Sequence, residues 1–178
     1  QGKISWDDPV IKHLPGFKLY DPFVTREIRI RDLFLHNSGL GNADYLWANN
    51  NISSDEIVSR LQLIKPAYSF RAGFIYQNIF YLVAGQVIEK VSGMPWEDFV
   101  RDKIQKRVGM TYSNTRCSLV AKATNVAWPH ARVEGQVKPI KPYLPDNINP
   151  AGGINSCAED MAKWMLVLLN KGKLSDGN

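Results

Sequence analysis

Residues 79–91 are apolar except at Gly85, Gln86, Glu89 and Lys90. The last three fall at i, i+3 and i+4, a narrow polar stripe on an otherwise apolar helix, and Gly93 is placed to end it. Such a helix needs neighbours on almost every side. The chain has 178 residues, 44% hydrophobic and 22% charged, enough for one domain with a real core and too little for two comfortable ones. Whatever this chain does is therefore arranged around one buried helix.

The entrance to that helix reads Phe70-Arg71-Ala72-Gly73-Phe74-Ile75-Tyr76-Gln77-Asn78. A phenol can relay a proton, and an Asn amide offers both a donor and an acceptor. Two such side chains at i, i+2 in an extended or turning segment can point the same way. The plain alternative makes Tyr76 a half-buried aromatic and Asn78 an N-cap.

The flanking chain reads as short elements joined by punctuated loops. Asp8 is expected to cap a short helix with Pro9 at its first position. Residues 24–30 alternate apolar and polar, which predicts a short strand or extended arm. Residues 31–36 predict a brief helix stopped at Asn37-Ser38-Gly39. Residues 41–52, with Asn49, Asn50 and Asn51 in a row, predict a surface loop. Ser53 and Glu56 form a capping box for a helix over about 54–63, which Pro66 closes. Pro95 opens another helix whose inner face would be Trp96, Phe99, Val100, Ile104 and Val108, ending at Gly109. Residues 111–150 carry five prolines and no helical period, a long loop of the kind that is often functional. Ser156 and Glu159 form a second capping box, and Met161, Trp164, Met165 and Leu168 give the apolar face of a last helix ending at Gly172. The sum is mainly helical with little strand.

Several function classes drop out. Net charge is +5, but the basic residues are scattered rather than massed, so nucleic acid is not an expected partner. His13, His36 and His130 have no metal-ligand spacing with one another or with Cys117 and Cys157. Those two cysteines set no disulfide framework and are expected as unpaired buried thiols. Ser38 beside His36 and Gly39 reads as a helix-ending turn rather than a nucleophile with its base. There is no Gly-x-Ser-x-Gly elbow, no phosphate-cradling loop and no integral membrane segment. The chain begins at Gln1 without Met or an export signal, which earlier removal of a signal would explain.

Five stretches then come into register: residues 2–10, residues 30–40, Tyr76-Gln77-Asn78 ahead of Ala84-Gly85 and Val91-Ser92-Gly93, Val108-Gly109-Met110, and residues 151–156 with Gly152-Gly153. In that order and spacing they resemble the serine β-lactamase and penicillin-binding-protein superfamily, in its class C-like and esterase-like branch. Tyr76-Gln77-Asn78 stands where that family has Tyr-x-Asn. The resemblance implies an α+β parent fold, an antiparallel sheet flanked by helices, of which residues 1–178 are a single fragment, mostly the helical domain. No Ser in the chain is followed three residues later by Lys, and no Lys-Thr-Gly or His-x-Gly follows Gly172. The nucleophile helix and the C-terminal sheet strands are thus expected outside the chain.

The implied chemistry is attack of a serine on a β-lactam, D-alanyl peptide or small ester, then hydrolysis of the acyl-enzyme, with no metal and no cofactor. Tyr76 would be a catalytic proton relay, Asn78 would bind substrate through its amide or hydrogen-bond the motif lysine, and Gly152 and Gly153 would line the cleft. A phenol acts as a base near neutrality only where cations favour phenolate. In the family those are the two motif lysines, so the fragment alone is expected to be catalytically silent. A small-molecule or peptide substrate, a periplasmic or secreted location, and self-association of a chain lacking its sheet complete the expectation. The rival reading is a non-catalytic helical module binding peptidoglycan-like peptides or a protein partner.

Overall fold

A computed structural model describes residues 2–48, 51–120, 122–143 and 145–174. At its centre is α4 (Ile79–Ser92), in which Ile79, Phe80, Leu82, Val83, Ala84, Gly85 and Val87 are buried. Gly93 takes the left-handed conformation (φ 72°) and returns its N–H to the Glu89 carbonyl, as the sequence predicts. The polar stripe is used for joints. Gln86 donates to Asp55 at 2.9 Å, and the Glu89 carboxylate accepts from the Trp96 N–H at 2.9 Å, satisfying an otherwise unpaired donor of the following helix.

Five short pieces cover α4: α1 (Val10–His13), α3 (Ser54–Arg60), α5 (Trp96–Val100), a 3-10 helix, Ile30–Phe34, and, from later in the chain, the helical turn Asn149–Gly152. Val10, Leu33, Ile57, Val58, Trp96 and Val100 bring their buried side chains with them, and Leu61, just past α3, is buried too. Ser53 caps α3 by accepting from the Glu56 N–H at 3.2 Å. The brief helix before Asn37 is the 3-10 helix, and the loop expected over residues 41–52 carries a further 3-10 turn, Asp44–Leu46. Asn49 and Asn50 lie outside the described residues.

Several expectations are corrected. Pro9, not Asp8, holds the N-cap position of α1, because the Asp8 carboxylate is drawn to Lys12 Nζ (2.6 Å), His13 Nε2 (2.9 Å) and the Ser5 N–H. Residues 24–30 are no strand. Asp21 caps Phe23 at 2.7 Å with Pro22 just inside, which starts α2 (Pro22–Glu27), and extended backbone begins only at Ile28. Continuing from α5, a single wide π turn, Arg101–Gln105, rotates the helix face by one residue before α6 (Lys106–Val108). Buried Gln105 therefore stands where Ile104 was expected, while Ile104 and Val108 are half-buried.

Residues 111–150 are not structureless. They hold α7 (Cys117–Val120) and a hairpin of β1 (His130–Val133) and β2 (Gln136–Pro139), antiparallel with Val133 opposite Gln136. Glu134 and Gly135 both have positive φ, 50° and 80°, the two-residue turn whose twist suits a hairpin. After α8 (Asn149–Gly152), the last helix is α9 (Ala158–Leu169). Its N-cap is Cys157, without a side-chain bond, because the Ser156 hydroxyl is taken by Ser113 at 2.8 Å. The residues expected as its inner face are not covered. Met161, Met165 and Leu168 are exposed, with Leu166 and Leu169, and Trp164 is half-buried. Cys117 and Cys157 are both unpaired; Cys117 is half-buried, which pushes its thiol pKa up, but Cys157 is exposed.

Candidate active site

The site is assembled by two segments that clasp each other ahead of α4. Residues 36–40 form the inner turn, and residues 67–77 wrap it. Ala67 donates to Gly39 O and Arg71 to Asn37 O, both at 2.8 Å, and Ile75 donates to His36 O at 3.0 Å. Gly39 is required here, since at φ 86° a Cβ would stand 2.4 Å from the Tyr68 carbonyl oxygen. The Ser38 hydroxyl accepts from the Leu40 N–H at 3.2 Å, the turn role its sequence predicts.

An ion pair with a buried carboxylate fastens the clasp. Arg71 donates through Nε (3.0 Å) and a terminal nitrogen (2.7 Å) to the two oxygens of Asp32, whose side chain is only 2% exposed. Asp32 also accepts from the Arg29 N–H at 2.8 Å. The carboxylate is thus surrounded by donors, which is what makes a charge at that depth tolerable.

Within this frame Tyr76, Gln77 and Asn78 alternate. Tyr76 is 55% exposed, and its ring lies on that of His36, 4.5 Å between centroids at 29°. Its hydroxyl makes no hydrogen bond among the described residues. Gln77 points inward, is fully buried, and donates to the carbonyls of Leu40 (3.2 Å) and Gly41. Asn78 stands at the N-cap position of α4 but has helical dihedrals, and its side chain caps nothing. Instead its amide donates to Asp44 Oδ1 at 3.2 Å, an atom that also accepts from Trp47 Nε1 at 2.8 Å. Anchored Gln77 turns the side chains on either side of it away from the core.

The other expected site residues, Gly152 and Gly153, lie at the end of α8, which packs against α4. Gly153 is buried against Asn149 so closely that a Cβ would fall 2.4 Å from Asn149 Oδ1. Asn149 in turn donates to Glu97 Oε1 at 2.8 Å. Gly152 faces open space. The expected site residues therefore have different roles in the structure. Tyr76, Asn78 and Gly152 offer groups to the outside, while Gly153 makes the close turn that holds its neighbour. His36 and Asp44 are additions. The aromatic surroundings of His36 carried a faint signal in Phe74, Tyr76 and Tyr81; nothing local marked Asp44.

All of residues 1–178 match the family model described as Beta-lactamase. The chain belongs to the beta-lactamase family. It is 28% identical over 207 aligned residues to a putative D-alanyl-D-alanine carboxypeptidase of Salmonella gallinarum, an alignment covering 97% of this chain and 46% of that protein. The octameric penicillin-binding protein homologue from Pyrococcus abyssi is similar in structure, with a TM-score of 0.74 and 26% identity over 97% of this chain and 41% of that one. A class C beta-lactamase shares the fold with a TM-score of 0.75 at 20% identity, over 96% of this chain and 45% of that one. The chain thus spans less than half the length of these beta-lactamase-family proteins, and it is a mainly helical part of their α+β fold. No helix among the described residues is long and apolar enough to cross a membrane.

Proposed function

We propose that this chain is the helical part of a serine hydrolase that forms and hydrolyses an acyl-enzyme on a β-lactam, D-alanyl peptide or small ester. The observation that carries this is the presentation of Tyr76. Its side chain is exposed and its hydroxyl makes no hydrogen bond among the described residues, while the residue after it is locked into the core. A proton relay needs that combination of a fixed backbone and a free acid–base atom.

In this reading Tyr76 passes a proton toward the leaving nitrogen or alkoxide, and later takes one from the attacking water. Asn78 hydrogen-bonds the substrate amide. One of its two amide hydrogens is held by Asp44, so the amide is oriented while its second hydrogen and its oxygen stay available. Gly152 lines the cleft, and Gly153 sets its position. The nucleophilic serine and its lysine lie in sequence outside residues 1–178, in a protein that acts in the periplasm or outside the cell. The carboxypeptidase named above supports the peptide branch of the substrate class.

Intact-mass spectrometry after incubation with a penicillin and, separately, an activated acyl ester tests this. The longer protein should gain one acyl group per chain, and residues 1–178 alone should gain none. A stoichiometric adduct on residues 1–178 would overturn the placement of the nucleophile. No adduct and no turnover in the longer protein would favour a non-catalytic peptide-binding module.

A further inference from the structure

His36 does more at Tyr76 than close a turn. The residue before Tyr76 donates its backbone N–H to the His36 carbonyl (Ile75, 3.0 Å), and the residue after it donates to the His36 ring at Nδ1 (Gln77, 3.1 Å). Between these two bonds the imidazole stacks on the phenol. One residue thus holds Tyr76 from three directions. Accepting at Nδ1 puts the ring proton of neutral His36 on Nε2, so the tautomer follows from the Gln77 bond. Phe74 packs edge-on against the imidazole at 5.4 Å and Tyr81 lies 5.7 Å away, which fixes the plane on which Tyr76 rests.

The backbone of His36 gives an independent indication. Its φ is 56°, a left-handed conformation that Gly or Asn adopts at less cost. A turn alone would be served better by either. What the imidazole adds is the Nδ1 acceptor, which takes the Gln77 N–H, and the flat face, which meets the Tyr76 ring.

We infer that His36 is the positioning residue for Tyr76: it sets the direction of the phenol hydroxyl through the Gln77 N–H bond and the ring stack, without itself touching substrate. This rests on the proton-relay reading of Tyr76. Its contribution is to the reaction step rather than to substrate affinity, because misplacing a reacting group by about 1 Å costs on the order of a hundredfold in rate.

Two variants separate the ring's contributions. His36→Phe keeps a stacking face and removes the acceptor. His36→Asn removes the stack, keeps a side-chain acceptor close to where Nδ1 lies, and suits the positive φ. In the longer protein, His36→Phe should lower kcat roughly ten- to hundredfold with KM little changed, and His36→Asn should recover part of the loss. In a Tyr76→Phe background the same His36→Phe change should cost nothing further, since a residue acting only through Tyr76 has nothing left to position. Amide hydrogen exchange on residues 1–178 supplies a readout free of activity: protection at Gln77 should fall in His36→Phe and persist in His36→Asn. Equal losses from His36→Phe in the wild-type and Tyr76→Phe backgrounds would overturn the inference and leave Tyr76 its role. Full activity of Tyr76→Phe itself would instead overturn the relay reading, while the exchange experiment would still report on the bond to Gln77.

Discussion

Pro150 sits on Gly85 so closely that a Cβ on Gly85 would lie 2.4 Å from Pro150 Cγ and 2.8 Å from its Cβ. This seat joins α4, the helix that Tyr76 and Asn78 lead into, to α8, which ends at Gly152. A proline ring cannot swing aside, so any side chain at Gly85 displaces α8 itself. Gly85→Ala gains about 1 kcal/mol of helix propensity and loses about 1–3 kcal/mol to overpacking. The expected result is a modest fall in the urea midpoint of this chain and a higher KM in the longer protein. A raised midpoint, the helix-propensity gain with nothing set against it, would mean that α8 is not seated on Gly85.

The Asp32–Arg71 pair should matter more than a surface ion pair. Removing Arg71 leaves a carboxylate buried at 2% exposure with one backbone donor. The loss is expected at about 2–3 kcal/mol, below the range for fully buried pairs because Arg71 is 42% exposed and partly screened. Arg71→Lys should recover little, since an ammonium cannot bond both oxygens in the plane of the carboxylate. Chemical denaturation of the two variants checks both statements.

The sequence showed α4 plainly, because its period, its glycine stop and the polar stripe all agree. It showed the Ser53 cap and the Tyr76–Asn78 entrance for the same reason: local chemistry decides them. It misled wherever a side chain had a better offer than its cap. Asp8 is drawn off its cap by Lys12 and His13, Ser156 by Ser113, and Asn78 by Asp44. The π turn at Arg101–Gln105 left no local mark, and it alone moved the inner face from Ile104 to Gln105. The hairpin was readable in principle from Glu134-Gly135, but the surrounding prolines argued against strands. The stacking of Tyr76 on His36 joins residues forty apart in sequence, and no spacing rule reaches that far.

Asp160 carries a pH prediction. It is buried, which works to raise its carboxyl pKa, but bonds from the Ser113 hydroxyl, Lys163 and the Tyr112 N–H outweigh burial and hold it below the usual carboxylate range. A depressed carboxylate stabilises the fold fully above its unfolded value, about 3.9, and loses that contribution as pH falls through the lower folded value. The wild-type chain should therefore lose stability on acidification below about pH 4. Asp160→Asn should start less stable and lose less over the same interval. Parallel pH profiles for the two proteins would contradict the assignment.

Helix α9 exposes Met161, Met165, Leu166, Leu168 and Leu169. An uncovered face of this kind drives association in water. Sedimentation of residues 1–178 should show concentration-dependent oligomers, and Met165→Glu with Leu169→Glu should shift the chain toward monomer. A monomeric wild-type chain at high concentration would contradict this.

The most direct test of the account is turnover of the longer protein carrying Tyr76→Phe, measured on a D-alanyl peptide and on an activated ester. Loss of the hydroxyl alone, with the ring still stacked on His36, should lower kcat about 10²–10⁴-fold, the usual contribution of a general acid–base group. An unchanged kcat on both substrates would show that Tyr76 relays no proton, and the proposed function of this site would fail with it.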